Sequence, residues 1–158
     1  MLSDIYWITT ETSPRLAIMA RPRGGDWLED EVANWKRSGV EIVVSLLERN
    51  EVDDLGLQAE AASCDANGID YLSFPIADRG VPPDTGEAMR FAADVLRRGK
   101  TIAIHCRAGI GRSSLIAAAM LVSSGVEPAE ALSAIQLARR TSVPDTDAQR
   151  QWVLALTG

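Results

Sequence analysis

Residues 105–114 read HCRAGIGRSS and follow directly on the apolar run TIAI at 101–104. The chain's only histidine, His105, and one of its two cysteines, Cys106, therefore stand at the end of a strand-like segment. Two arginines, Arg107 and Arg112, are spaced around Gly109 and Gly111. A strand that ends in a glycine-containing loop and turns into a helix gathers main-chain amides around one point, with the helix N-terminus facing it. That is a cradle for an anion. A cysteine in such a place is favoured as the thiolate, which is its nucleophilic form. A guanidinium returning to the same point offers a planar fork to two oxygens of a phosphoryl group.

The candidate cradle is thus Arg107, Ala108, Gly109, Ile110, Gly111 and Arg112, with Cys106 as candidate nucleophile. The Ser113 hydroxyl is placed to stabilise the thiolate when it leaves in a second step. His105 is not read as a base for Cys106, because neighbours on a strand point to opposite faces. Its expected role is to hydrogen-bond the loop from behind. With no second histidine in the chain, an acid–base partner has to be a carboxylate.

The elements that must position this loop are legible as alternating runs. LAIMA (16–20), EIVVSLL (41–47), YLSFPI (71–76) and TIAIHC (101–106) read as strands, and IYWIT (5–9) as an edge strand. Between them the spacing predicts helices from Trp27 to a stop at Gly39, over 52–66, and from Asp84 or Thr85 to Arg98. After the loop come three more: the nearly all-apolar SLIAAAMLVSSG, a helix opened by Pro128 and running to about Arg140, and a last one from near Asp145. Strands alternating with helices predict an α/β fold with a central, mainly parallel sheet of four to five strands, and a helical C-terminal half. One domain over 1–158 is expected, since no repeat, low-complexity tract or linker interrupts the pattern.

The formal net charge is −6, with no basic cluster of the kind that grips nucleic acid. An anionic ligand must therefore be held by local donors against the global field. No run of 18 apolar residues is present, so no membrane span is expected. The first residues lack the basic start and apolar stretch of a secretory signal. Two cysteines make no disulfide scaffold, and a reducing cytoplasm is the expected compartment. The ligand count is too small for a zinc site, and no GxxxxGK[ST] loop occurs, so neither metal nor cofactor is expected.

HCRAGIGRS resembles the signature of the cysteine-dependent protein phosphatases, in the compact dual-specificity branch. The resemblance implies a phosphomonoester hydrolase acting through a cysteinyl-phosphate. PIADRGVPPD (75–84) resembles the loop that carries that family's general acid, which falls on Asp78, with Asp84 as the competing carboxylate. VPDTDAQRQWV (143–153) resembles the segment in which a glutamine helps position the hydrolytic water, and Gln149 is the matching residue. The resemblance spans roughly residues 40–155, and the first forty residues match no catalytic element. The substrates it implies are phosphotyrosine and, for the dual-specificity branch, phosphoserine or phosphothreonine in proteins or peptides, with phosphate or sulfate able to occupy the loop. Phosphoinositide and RNA 5′-phosphate substrates occur in the same superfamily.

Other readings stand beside these. A phospho-binding module would need the cradle without Cys106 or Asp78, and a rhodanese-type sulfur transferase would use a shorter loop. Arg107 either touches substrate or is a solvated surface group, and Arg79 reads as solvated. Cys64 either pairs with Cys106 in a disulfide or packs on a helix face. Glu48, Arg49 and Glu51 either line a pocket rim or are solvated charges. Trp7, Trp27, Trp35 and Trp152 read as core or partly buried aromatics.

Overall fold

Three short segments of the chain, LAIM, IVVS and IAIH, carry no polar face toward solvent and are buried at every residue. Such strands require cover on both sides. The computed structural model describes residues 2–9 and 15–158. Among them, five strands form one sheet: β1 (Tyr6–Ile8), β2 (Leu16–Met19), β3 (Ile42–Ser45), β4 (Asp70–Ser73) and β5 (Ile102–His105). Their spatial order is β1-β2-β5-β3-β4. All pairings are parallel except the antiparallel edge pair β1–β2.

Seven helices among the described residues cover this sheet: α1 (Leu28–Arg37), α2 (Arg49–Asp54), α3 (Glu60–Ala66), α4 (Thr85–Leu96), α5 (Arg112–Ser123), α6 (Pro128–Arg139) and α7 (Asp147–Leu154). The period-2 alternation of the strands divides the interior into two cores. Leu16, Ile18, Ile42, Val44, Ile102 and Ile104 pack with α4, α5, α6 and α7. Ala17, Met19, Val43 and Ala103 pack with Val32 and Trp35 of α1 and Cys64 of α3. Each fully buried Ile, Leu or Val stabilises the fold by roughly 1.5–3 kcal/mol. A one-residue slip of register would therefore be costly on both faces.

The centre of the sheet is β5, placed between β2 and β3, so the HCRAGIGRSS segment leaves from its middle. The register aligns Met19, Ser45 and His105 at the C-terminal ends of the three parallel strands. That end of a parallel sheet is where open α/β folds form their crevice. Helix α5 leads away from the crevice. It is apolar all round, with its residues from Arg112 to Val122 buried, and it lies against α4, α6 and α7.

Several expectations need correction. The helix expected over 52–66 is two helices, α2 and α3. Gly56 takes φ +67°, and Leu57 N donates back to Val52 O at 2.9 Å, which closes α2 and turns the chain. The strand expected to Ile76 ends at Ser73, because Pro75 has no N–H to give the ladder. Phe74 N and Ile76 N still bond Ser45 O and Leu46 O. The last helix starts at Asp147 under a Thr146 cap rather than near Asp145. Trp27 is 57% exposed rather than core, on the 3-10 turn that precedes α1. No helix among the described residues is long and apolar enough to cross a membrane.

Candidate active site

The loop after β5 is shaped by its carbonyls. Every carbonyl from His105 to Gly111 accepts a hydrogen bond. Leu46 N bonds His105 O at 3.0 Å and Arg21 N bonds Arg107 O at 3.1 Å, which ties the loop to the strands on either side. The His105 ring takes Cys106 O at 3.1 Å. Arg139 on α6 takes Ala108 O through its terminal nitrogen at 3.3 Å and Gly109 O through Nε at 3.2 Å. The Ser114 hydroxyl takes Ile110 O, and Ser114 N takes Gly111 O at 3.1 Å. The Arg139 guanidinium is itself held 4.2 Å above the ring of Tyr6 on β1.

Among the described residues, none of the amides of residues 107 to 113 donates to protein. Orphan amides converging at a helix N-terminus constitute an anion receptor. Gly109 allows the curl: its φ is +72°, and a Cβ there would stand 2.5 Å from the Met19 backbone.

Cys106 lies on the floor of a cleft of about 490 Å³ lined also by Asp78, Arg79, Arg107, Ala108 and Arg112. Only 3% of Cys106 is exposed, and the Ser113 hydroxyl donates to its Sγ at 2.9 Å. Arg112, almost fully buried, is gripped by the Glu51 carboxylate at 2.6 and 2.8 Å and by Ile76 O at 2.9 Å. The Arg112 hydrogen bond holds the Glu51 carboxyl below the usual carboxylate range against the effect of burial. Burial opposes the Arg112 charge, but Glu51, the Cys106 sulfur and Asp78 outweigh it and push its pKa further up. Arg112 is a fixed cation.

Asp78 projects from a tight turn closed by Gly80 N to Ala77 O at 2.8 Å, with Arg79 at φ +61°. One Asp78 oxygen stands 3.3 Å from the Arg112 guanidinium. Asp84 instead caps α4, accepting from Glu87 N at 3.0 Å. The structure thus brings Asp78, and not Asp84, to the cleft. Gln149 is fully buried behind the wall of the cleft. Its amide donates to Gly80 O at 3.0 Å and accepts from Asp145 N and Thr146 N, so it ties the Asp78 turn to α7. A Cβ on Gly111 would come within 3.2 Å of that amide, which places Gln149 against the loop's end.

The chain's similarities follow the same boundaries. The family described as "Polymorphic toxin system, DSP-PTPase phosphatase" (Tc-R-P) matches residues 17–126, about two thirds of the chain. The chain belongs to this family. Among curated proteins, it is 34% identical over 82 residues to a probable protein tyrosine phosphatase type IVA A of Dictyostelium discoideum, covering 49% of each. It is 28% identical over 131 residues to cyclin-dependent kinase inhibitor 3 of Rattus norvegicus, covering 80% of this chain and 61% of that protein. It spans about half the length of the curated relatives it matches.

Two solved structures agree in fold with this chain. Kinase associated phosphatase, with its catalytic-site cysteine changed to serine, superposes with a TM-score of 0.85 at 22% identity, covering 97% of this chain and 93% of that one. Tk-PTP in its active form gives 0.72 at 27% identity, covering 94% and 92%. The family match begins at residue 17, earlier than the span of roughly 40–155 expected from the motifs. β2 flanks β5, and Arg21 just beyond it lines the cleft.

Sequence reasoning missed several groups around this site. Glu51 is buried against Arg112, not solvated; its one local signal was the three-residue spacing from Glu48, whose N–H it accepts at 3.0 Å. Asp145 and Arg21 line the cleft, and Arg79, although exposed, does so too. Cys64 is buried in the core opposite that of Cys106. Burial, with Glu60 adding to it, pushes its thiol up to about 12, which fits the packing role and not a disulfide with Cys106. The least expected group is Glu60, a carboxylate 1% exposed on α3 whose Oε2 lies 2.6 Å from His105 Nε2.

His105 is wholly buried, beside the ring of Trp35. Its Nδ1 must carry hydrogen, because its partner, the Cys106 carbonyl, can only accept. Burial disfavours the charged ring, yet Glu60 and the Cys106 carbonyl outweigh it and raise the His105 pKa above its ordinary value. A folded-state pKa above the unfolded value, about 6.5, stabilises the fold fully below that pH, and the contribution is lost as pH rises through the folded value. In a Cys106→Ser background, where no thiolate adds an opposite slope, stability to urea is therefore expected to fall as pH rises above about 6.5. His105→Gln should lack this fall, and parallel curves for the two proteins would refute the charged pair.

Proposed function

We propose that this chain is a metal-independent phosphomonoester hydrolase, a protein tyrosine or dual-specificity phosphatase working through a cysteinyl-phosphate. One observation carries the reading: the Cys106 sulfur, the Arg112 guanidinium and the Asp78 carboxylate share one cleft floored by unpaired loop amides. A second reading, a phospho-binding module, has no observation in its favour, since nucleophile and acid are both in place.

In the first step the Cys106 thiolate attacks phosphorus. The ester P–O bond breaks, and Asp78 gives its proton to the departing oxygen. The amides of residues 107 to 112 and the unclaimed edge of the Arg112 fork hold the equatorial oxygens, whose charge spreads in the transition state. In the second step water attacks the phosphoryl group, Asp78 takes back a proton, and the S–P bond breaks. Ser113 then stabilises the departing thiolate through the hydroxyl that already points at Sγ. Gln149 orients the water or the Asp78 turn, to which it is bonded through Gly80. His105 supports the loop.

The proposed substrates are phosphotyrosyl and phosphoseryl or phosphothreonyl residues of proteins. The rim groups Asp78, Arg79, Arg107 and Ala108 are exposed, which favours a site open to both long and short phosphorylated side chains. A solved TpbA of P. aeruginosa in complex with pTyr has a similar fold (TM-score 0.63, 23% identity). Residues 1–158 are read as one catalytic unit. Because the nucleophile must stay a free thiol, a reducing cytoplasm is its proposed setting.

An aryl phosphate assay in the presence of chelator tests the reaction. Turnover is expected without added metal, and Cys106→Ser should lower it at least about 1,000-fold. Metal-dependent turnover, or activity that survives loss of the thiol, contradicts the mechanism; saturable binding without turnover makes the chain a binding module. The Asp78→Ala variant should lose about 100-fold or more on phosphate esters of alkyl alcohols and far less on p-nitrophenyl phosphate. An equal loss on both esters would remove Asp78 from the role of proton donor.

A further inference from the structure

The fold places a buried ion pair on the face of the sheet opposite the nucleophile, and the proposed reaction steps make no use of its carboxylate. Glu60 opens α3 and packs against the end of β5, 45 residues away in sequence from its partner His105. Both side chains are removed from solvent, at 1% and 0% exposure. The second Glu60 oxygen, Oε1, has no hydrogen-bond partner among the described residues. A buried carboxylate with one bare oxygen is expensive, and a buried ion pair is seldom more stabilising than an apolar pair of the same shape. Stability alone does not account for it.

The charged and titratable groups facing this pair are Cys64 on α3, Tyr71 on β4 and Arg112 on α5. Burial, reinforced by Glu60, pushes both the Cys64 thiol and the Tyr71 hydroxyl up to about 12. Both are therefore neutral near pH 7. Arg112 is committed to Glu51. Among the described residues, the only cation free to balance Glu60 is His105, and a doubly protonated ring satisfies both contacts: Nε2–H to the Glu60 carboxylate and Nδ1–H to the Cys106 carbonyl.

The geometry points to Glu60 as a positioning residue for the nucleophile, holding a positive imidazolium directly behind Cys106 and fixing the Cys106 carbonyl away from the cleft. Given the proposed hydrolysis at Cys106, Glu60 acts on the thiolate without touching substrate. The imidazolium donates to the peptide group that carries the sulfur, so its charge favours the ionised thiol. When the carboxylate is replaced by an amide, the buried ring gives up its Nε2 proton and that charge disappears.

Alkylation of Cys106 by iodoacetamide, followed by peptide mass spectrometry across pH, tests this without relying on turnover. Buried Cys64 is the internal reference for folding, because it labels only when the chain opens. In Glu60→Gln the pH midpoint of Cys106 labelling should move up by about half to one unit, a roughly threefold to tenfold slower reaction below the midpoint. Glu60→Asp, which keeps the charge, should recover part of the shift. A folded Glu60→Gln whose labelling curve superimposes on wild type overturns the inference. If Glu60→Gln labels at Cys64 and so is not folded, His105→Gln carries the test, because it removes the same cation and keeps a donor for the carbonyl. An unmoved midpoint there also overturns it. A wild type that hydrolyses no phosphate ester but shows the shift would remove the proposed reaction and leave the Glu60 role standing.

Discussion

The site rests on main-chain hydrogen-bond accounting. Seven successive carbonyls, His105 to Gly111, are each taken by a donor from outside the cleft or from the first turn of α5. A peptide unit whose oxygen is held one way presents its N–H the other way. The amides of residues 107 to 112 are therefore left to face the cleft. The donors come from the residues just after β2 and β3 and from β5, α5 and α6, which is why so much of the fold is needed to shape so short a loop. Without such anchors, orphan amides would relax toward ordinary turn or helix bonding, since an unpaired buried N–H costs about as much as a lost hydrogen bond.

Charge is arranged by the same logic. The protein carries a net charge of −6, so long-range attraction for an anion is unfavourable. What counts is a pair of basic groups fixed beside Cys106: Arg112, which lines the same cleft, and His105, whose ring bonds the Cys106 carbonyl. Each is expensive to bury, and each is held by a carboxylate on the side away from the cleft: Arg112 by Glu51 at 2.6 and 2.8 Å, His105 by Glu60 at 2.6 Å. The Glu51 grip and Ile76 O take three donors of the guanidinium fork and leave Nε and one terminal N–H for oxygens in the cleft. Asp78 already stands at that edge, 3.3 Å away, so a carboxylate and a buried cation meet at the rim of the cleft.

How much of this could be read from the sequence follows from the range of each interaction. The loop, its strand before and helix after, and the opposed directions of His105 and Cys106 are local properties, fixed by spacing and by the two-residue period of a strand. They hold in the structure. The resemblance favoured Asp78 over Asp84, and tertiary placement agrees, since Asp78 lines the cleft whereas Asp84 caps α4. Glu51 and Glu60 were out of reach: their partners lie 61 and 45 residues away, and no periodicity reports a pairing at that distance. A faint signal did exist for Glu60, since Leu57, Glu60 and Cys64 share the buried helix-like stripe, and a carboxylate on such a stripe must find a cation. The apolar pattern over 52–66 ran straight through Gly56 because periodicity is blind to a single left-handed residue that ends one helix and starts another.

The amides themselves are the most direct witnesses to the account. Tungstate, a tetrahedral oxyanion that cannot be hydrolysed as a substrate, should be titrated into 15N-labelled protein while the resonances of residues 107 to 113 are followed. The amide signals of the loop should move together along one saturable curve, with the Arg112 side-chain Nε–H following the same curve. Shifts confined to Arg21, Arg79 and other exposed cations, with the loop amides unmoved, would show that the loop does not grasp an oxyanion.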